Sequence, residues 1–546
     1  MKWLGLIAVL SAVGCTTDET PKNPFPVSAS DDTATTHPSD DTARPQGSDD
    51  TGPLSPDDTA SDCDACPAST VSAMWSLDAT AWGTDRSRTR DNPLKGFMTS
   101  YLWGTPVTDF PDQLEFLYIP MNQVWGPDGD TIEEGLEPLM AAAAARHHHV
   151  VLRIFVDYPN RPTGLPEHLS ETVSCSPYTE HGGGCSPDYD HPDMVAAMVG
   201  LIEALGDRYN GDPRLGFVQL GLLGFWGEWH TWPHGDWFPS DATQNAVLDA
   251  YESAFTQTHL QARYPSTGMV TRSVGYHDDS FAHSTLGTIE WFFYPRMVAA
   301  GAEYRWQQMA IGGELRPELQ GEVFGDAYTL GEYAQDMNEC IDTTHASYLL
   351  NYYAFNGEET GYTGDERDRA EAAALRMGYE FELRGAALRL ADLDDTTVSA
   401  TVIAEVEQTG VAPFYYALAL TTDSDGMESP AASGDDLSTL LPGERRTIEV
   451  PLGRIPVERV SEPWTVSLTG PMIQSGQRVQ FATETPWTDS DGNTVLQWDP
   501  QCMVDGEAHP VGSLVAVSGH DCECRCDVDG AVRDCGGTIC DTSVPQ

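Results

Sequence analysis

Gln219-Leu220-Gly221-Leu222-Leu223-Gly224-Phe225-Trp226-Gly227-Glu228-Trp229-His230 is the stretch that decides the fold. An apolar run starting at Gly216 reads as a buried strand, glycines then permit a sharp turn, and a single carboxylate is presented among tryptophans. Working outward, further short apolar runs read as strands at Gly96–Tyr101, Phe116–Met121, Val150–Val156, Gly216–Leu222, Met269–Val274, Met309–Gly312 and Ser347–Tyr352. Val274–Phe281 and Thr288–Tyr294 compete for one more strand. Amphipathic helices are predicted at Glu133–Arg146, Pro192–Tyr209, Asp241–Gln261 and Leu330–Cys340. Strand followed by helix, repeated, is the pattern of a parallel α/β fold. Residues 71–378 suit a (β/α)8 TIM barrel of ~250 residues with insertions. An open doubly wound sheet is the alternative, although the chain shows no Gly-rich nucleotide loop.

Function in a barrel sits where the strands end. The second strand ends in Asn122-Gln123-Val124-Trp125, the third runs through Arg153 to Asp157-Tyr158-Pro159, and the seventh ends Ile311-Gly312-Gly313-Glu314-Leu315. Glycoside hydrolysis needs two carboxyl groups, one protonated and one ionised. Crowding by Trp226, Trp229 and Trp232 is expected to desolvate Glu228 and raise its pKa, which favours the acid role. Indole faces also offer flat surfaces to sugar C–H groups. His230, His277, Asp278, Asp279, Arg153, Tyr352, Asn122 and Trp125 are the other expected pocket residues. The bland reading makes Glu228 and Glu314 salt-bridged structural carboxylates, with Arg305 and Arg316 close to Glu314 in sequence. His147-His148-His149 stand before a strand, at the opposite end of the barrel, so no metal site and no cofactor are expected. Neither a Gly-x-Ser-x-Gly elbow nor a His-Glu-x-x-His motif occurs.

Asn92-Pro93 with Gly96-Phe97, the Gly-Phe-Trp-Gly-Glu-Trp-His run, His277-Asp278-Asp279-Ser280-Phe281 and Gly312-Gly313-Glu314 resemble bacterial proteins grouped as domain of unknown function 4832, with its companion domain 4874. The resemblance covers about Asp91 to Trp498. Those barrels are similar to retaining (β/α)8 glycoside hydrolases, whose acid/base Glu follows strand four and whose nucleophile Glu follows strand seven. The resemblance thus implies Glu228 as acid/base and Glu314 as nucleophile. Gly227 stands where the hydrolase pattern has Asn.

The flanking segments read differently. Met1–Gly14, with Lys2 and the apolar run Trp3–Leu10, reads as a secretory signal. It is shorter than the ~20 apolar residues a membrane span needs. Ala12-Val13-Gly14-Cys15 resembles a lipobox, which implies lipidation at Cys15; Thr16 after it implies the cell outer membrane. Residues 15–70 are rich in Asp, Thr, Ser and Pro, repeat Asp-Asp-Thr-Ala, and are expected to form a solvated acidic stalk. Residues 379–499 switch to period-two runs at Ala386–Leu390, Thr397–Glu405, Phe414–Thr421, Arg446–Leu452, Trp464–Leu468 and Val479–Thr483, predicting an antiparallel β-sandwich. Residues 500–546 hold Cys502, Cys522, Cys524, Cys526, Cys535 and Cys540, a module that needs disulfides for lack of a core. It resembles half of a von Willebrand factor type C repeat. The remaining cysteines include Cys63 and Cys66 at the end of the stalk, Cys175 and Cys185, which flank a Gly-rich loop and are expected to pair, and Cys340, expected to be a buried free thiol. A net charge of −55 makes nucleic acid an unexpected partner. Membrane contact is expected through the lipid alone. Two functions are consistent with these features: a surface-anchored retaining glycoside hydrolase acting on an oligo- or polysaccharide, or a non-catalytic barrel that binds glycans or proteins.

Overall fold

The computed structural model describes residues 68–107, 109–266, 268–328, 333–357, 360–486, 488–489, 492–517, 523–533 and 539–540. The signal, Cys15, the stalk up to residue 67, Cys63, Cys66, Cys522, Cys535 and Leu330 lie outside the described residues.

Eight parallel strands form the central sheet: β1 (Gly96–Met98), β2 (Leu114–Pro120), β3 (His149–Phe155), β4 (Leu215–Gln219), β5 (His259–Ala262), β6 (Val274–Phe281), β7 (Ile311–Leu315) and β8 (Tyr348–Leu350). Neighbours in sequence pair in order, and β8 returns to β1. A parallel bridge between Thr99 and Glu115 nearly closes the ring between β1 and β2. The fold is therefore a TIM-type barrel. Helices α1 (Glu137–Ala145), α2 (Pro192–Tyr209), α3 (Asp241–Ala254), α4 (Phe293–Ala300), α5 (Met337–Thr344) and α6 (Gly364–Arg376) follow β2, β3, β4, β6, β7 and β8. Among the described residues no helix follows β1 or β5.

The strands are buried on both faces, as parallel strands must be. Along β3, Val150, Leu152 and Ile154 pack outward with α1 and α2 residues such as Met140, Met198 and Leu201. Val151 and Arg153 project inward. The lower interior is apolar, with Phe116, Val151 and Phe217. Above it lies a polar layer. Arg153 Nε donates to Gln219 Oε1 at 2.9 Å, Gln219 Nε2 reaches Tyr348 Oη at 3.2 Å, and Tyr348 donates to Gln261.

Two expected strands are corrected. Met269–Val274 is a turn region leading into β6, and β5 lies instead at His259–Ala262, inside the stretch assigned to the third predicted helix. Thr288–Tyr294 is loop and the start of α4, so Val274–Phe281 is the strand.

The sandwich consists of two four-stranded antiparallel sheets. One orders Ser72–Ser76, Phe381–Ala391, Thr397–Gln408 and Arg445–Pro456; the other orders Ala431–Ala432, Ala419–Asp423, Pro463–Thr469 and Thr494–Gln497. Alternation decides which side faces the core: Val398, Ala400, Val402, Ala404 and Val406 are buried while their neighbours are not. Ser72–Ser76, expected within the barrel segment, is an edge strand here, paired from Ser72↔Ala391 to Ser76↔Ala387. Phe414–Tyr416, expected as strand, instead plugs the lower end of the barrel, where the Tyr416 hydroxyl bonds the Gly216 carbonyl and Tyr415 Oη donates to Trp306 O at 2.6 Å. His149 Nε2 meets Gln477 Oε1 at 2.8 Å on the same face, so the histidine triplet joins the two domains. Lys95, just before β1, is buried and donates to the carbonyls of Leu375 and Tyr379, each at 2.9 Å. It ties the entrance of the barrel to its exit.

The C-terminal module packs on the sandwich core and carries disulfides Cys502–Cys526 and Cys524–Cys540. Cys175–Cys185 forms as expected, with Cα atoms 5.5 Å apart, and Cys340 is a buried free thiol.

Candidate active site

The site is built first from the turn after β4. Leu222, Gly224, Trp226, Gly227 and Trp229 all have left-handed φ, of 68°, 78°, 56°, 65° and 57°. Three of these are not glycine, and each such residue costs on the order of 1–3 kcal/mol, so the surroundings must over-determine the turn. They do. Trp226 N–H donates to Asp157 O at 2.7 Å, and the Trp226 carbonyl accepts from Tyr118 Oη at 2.5 Å. Trp229 N–H reaches Leu223 O at 3.0 Å, and its indole N–H reaches Leu220 O at 2.8 Å. The turn places Glu228 at the upper mouth, where Oε1 is 3.7 Å from Arg153 and Oε2 is 3.8 Å from Arg263 and 3.6 Å from His230 Nε2.

Glu314 arrives from β7. Gly313 precedes it because a Cβ there would lie 2.1 Å from the Asp278 carbonyl oxygen of the adjacent strand. Glu314 is partly buried, and its carboxyl group makes no hydrogen bond or ion pair with a described residue. Burial first, then the negative charges of Asp279 and Glu228, push its carboxyl well above the ordinary range, against the pull of Arg153. The two carboxyl groups therefore feel one another across the mouth. The groups that meet Glu228 are guanidinium and imidazole, not the three indoles expected.

Beneath both lies a buried network. Arg153 Nη2 donates to Asp279 Oδ1 and Oδ2 at 3.0 and 2.9 Å and lies 3.1 Å from His277 Nδ1. His277 Nδ1 is 2.8 Å from Asp279 Oδ1. Burial lowers the His277 pKa to about 4, so the ring is neutral and donates to Asp279. Asp279 would be raised by burial, yet Arg153, His277 and Arg263 hold it well below the usual carboxylate range. Asp278 is bonded by Thr285 Oγ1 at 2.8 Å and Ser280 N–H at 3.0 Å. His277, Asp278 and Asp279 are thus buried supports rather than pocket walls.

The other expected residues separate. Trp229 is 8% exposed and belongs to the core, so it is no wall of the site. Trp125 packs over Gly200 of α2, outside the mouth, because its small hairpin folds back on the helix layer. Trp232 is 57% exposed at the rim, 6.3 Å from the His181 ring. Trp226 remains beside the site, with His181 at 5.0 Å and His230 at 5.9 Å. Asn122 lines a cavity of about 380 Å³ with Trp103, Tyr118, Phe155, Tyr158 and Arg161. Tyr352 lines a smaller one of about 140 Å³ that shares Trp103. A larger cavity of about 490 Å³ lies in the sandwich, walled by Asp423, Asp425, Glu462 and Asp489, away from the barrel mouth.

Sequence reasoning missed Arg263, Tyr118, Tyr158 and the hairpin tip His181. Arg263 stacks over Tyr264 at 4.5 Å immediately after β5, and recognising that strand would have exposed it. The hairpin Cys175–Tyr178/Gly184–Pro187 carries His181 onto Trp226. It is pinned by Tyr178 Oη donating to Asp157 Oδ1 at 2.6 Å.

No family model and no curated protein matches the sequence. Among solved structures the chain is similar to endo-glycoceramidase II from Rhodococcus sp., with TM-score 0.34 and 12% identity over 66% of this chain and 96% of that one. It is also similar to an Anoxybacillus α-amylase, with TM-score 0.29 and 9% identity over 62% and 84%, and to a Thermobacillus composti GH10 xylanase, with TM-score 0.29 and 10% identity over 54% and 100%.

Proposed function

We propose that this chain is a retaining glycoside hydrolase of the domain of unknown function 4832 type, exported and held at the outer membrane by a lipid on Cys15. One observation carries the catalytic reading: Glu228 and Glu314, presented after β4 and β7 of one barrel, share a mouth in which the charge of Glu228 helps to raise the Glu314 carboxyl. One protonated and one ionised carboxyl group is the state glycoside hydrolysis requires.

In the free site burial holds that proton on Glu314. The productive arrangement has it on Glu228, which donates it to the glycosidic oxygen as the bond to the anomeric carbon breaks. Glu314, which has no cation partner of its own, then faces the positive charge that develops at that carbon. A desolvated carboxylate without a counter-charge stabilises such a centre strongly. It closes on the carbon to form the glycosyl ester. Water, deprotonated by Glu228, releases the sugar. Arg153 and Arg263 position Glu228, and Trp226 offers its face to the ring.

The test is a panel of chromogenic aryl glycosides with the full-length chain beside Glu228→Gln and Glu314→Gln. Turnover by the wild type is expected, with loss of at least a thousandfold in either variant and glycan binding preserved. A 2-fluoro glycoside should label Glu314. Binding without turnover across the panel would favour the non-catalytic glycan-binding barrel instead.

A further inference from the structure

Resting on the hydrolase reading, we infer that the cavity beyond β2 and β3 is a subsite for a uronosyl residue, its carboxylate taken by Arg161 and its C–H face lying on Trp103.

Position comes first. The inner wall of the cavity is Tyr118 and Tyr158. The Tyr118 hydroxyl bonds the backbone of Trp226, next to Glu228, and both tyrosines sense the Glu228 charge. A ring bound there neighbours the ring being cleaved. The volume of about 380 Å³ lies at the small end of ligand pockets, enough for one or two sugar rings.

Its chemistry comes next. Most of the wall is aromatic or apolar, and Trp103 and its neighbour Leu102, each 43% exposed, form a contiguous apolar patch at its edge. One cation stands in this wall. Arg153, Arg214, Arg263 and Arg272 each lie within ion-pair reach of a carboxylate. Among the described residues none lies within that reach of Arg161. In a chain of net charge −55 an arginine facing a cavity without an acidic neighbour is against the trend. A purely apolar ligand would strip the guanidinium of water with nothing in return. A planar carboxylate matches its fork with two parallel hydrogen bonds.

The arginine is also pre-set. It sits between Pro159 and Pro162, whose φ angles are fixed. Asn160 takes φ +64°, and its N–H is bonded by the Gly183 carbonyl at 2.7 Å, on the disulfide-bridged hairpin. Arg161 N–H returns to Tyr158 O at 3.1 Å, and the guanidinium lies 4.9 Å over the Tyr158 ring. Little freedom remains to be lost on binding.

The experiment uses full-length Glu228→Gln, which stops turnover, with and without Arg161→Met or Arg161→Lys. Each is titrated calorimetrically with matched oligosaccharide pairs of the same linkage, a neutral member and its uronate counterpart: β-1,4-mannan with β-1,4-mannuronan, cellodextrin with β-1,4-glucuronan. At least one uronate is expected to bind tenfold or more tightly than its neutral partner. Arg161→Met should erase the preference while changing neutral binding less than twofold, and Arg161→Lys should keep part of it. Neutral glycans bound as well as uronates, or a preference that survives Arg161→Met, would overturn the subsite and leave the hydrolase reading standing. Binding of neither class would overturn both.

Discussion

Replacing Arg153 by Met tests the core of the site directly. The side chain is 2% exposed and makes hydrogen bonds to Gln219 at 2.9 Å and to both Asp279 oxygens at 3.0 and 2.9 Å. Met fills most of the volume but leaves Asp279 buried with only the neutral His277 and the Arg263 Nε at 3.4 Å. Breaking a buried pair on one side costs about 3–5 kcal/mol. Arg263 stays, so the expected loss is about 3 kcal/mol, read from urea unfolding of the barrel transition by tryptophan fluorescence at pH 7. Removing both charges in Arg153→Met/Asp279→Asn should recover at least half of it, because the uncompensated carboxylate is gone. The pH dependence should also change sign. In the wild type the Asp279 value is depressed on folding, so its stabilisation is present above the ordinary carboxylate pKa of ~3.9 and fades as pH falls through the folded value. Without Arg153 burial dominates, the folded value rises above ~3.9, and stability should increase as pH falls from 7 to 5. A single variant that loses less than ~1 kcal/mol, or a double variant no more stable than the single, would refute this account of the network.

Asp157 supplies a second pH effect. Burial raises its carboxyl to about 6 although Tyr178 donates to it, so folding favours the protonated form. Its stabilisation is full below ~pH 4 and is lost as pH rises through about 6, a change of about 3 kcal/mol that Asp157→Asn should abolish in pH-dependent unfolding. Cys175→Ser opens a loop closed over a separation of 10 residues, and should cost roughly 2–3 kcal/mol in the chain-entropy model. Proteolysis between Tyr178 and Gly184 should quicken, and an unchanged cleavage rate would show that the Tyr178–Asp157 bond alone holds the hairpin.

The strand-then-carboxylate pattern of β4 and β7 was readable because glycine beside a lone Glu after an apolar run has little other use. α2 was readable end to end from Pro192 to Tyr209 because its apolar stripe keeps one period. β5 was hidden: α3 ends at Ala254 without a Gly or Pro stop, and Leu260 and Ala262 continue its apparent period. β6 carries His277, Asp278 and Asp279, and this polar run left Val274–Phe281 competing with Thr288–Tyr294, although within the barrel Asp279 pairs with Arg153 and His277, and Asp278 with Thr285 and Ser280. Which indole of Trp226, Trp229 and Trp232 lies beside the mouth depends on left-handed residues in the turn, and composition carries no trace of them. The pairing of Ser72–Ser76 with Ala387–Ala391 joins positions so far apart that no local pattern marks it.

That edge strand and Lys95 together bear on the cost of closing the chain. Ser72 meets Ala391, a separation of 391 − 72 = 319 residues. Closing a flexible loop of that length costs about 5 kcal/mol in its length-dependent part, (3/2)RT ln n. Once the barrel has formed, Lys95 clamps its first residues against Leu375 and Tyr379. The free chain left to close then runs only from Ser76 to Lys95 and from Tyr379 to Ala387, 19 + 8 = 27 residues. The same expression falls to about 3 kcal/mol. A barrel already formed brings its two ends together and so lowers the closure cost of pairing the edge strand with the sheet beside it. The chain's largest domain is in effect an insertion between two strands of its smaller neighbour, so the completed sandwich holds the two ends of the barrel together.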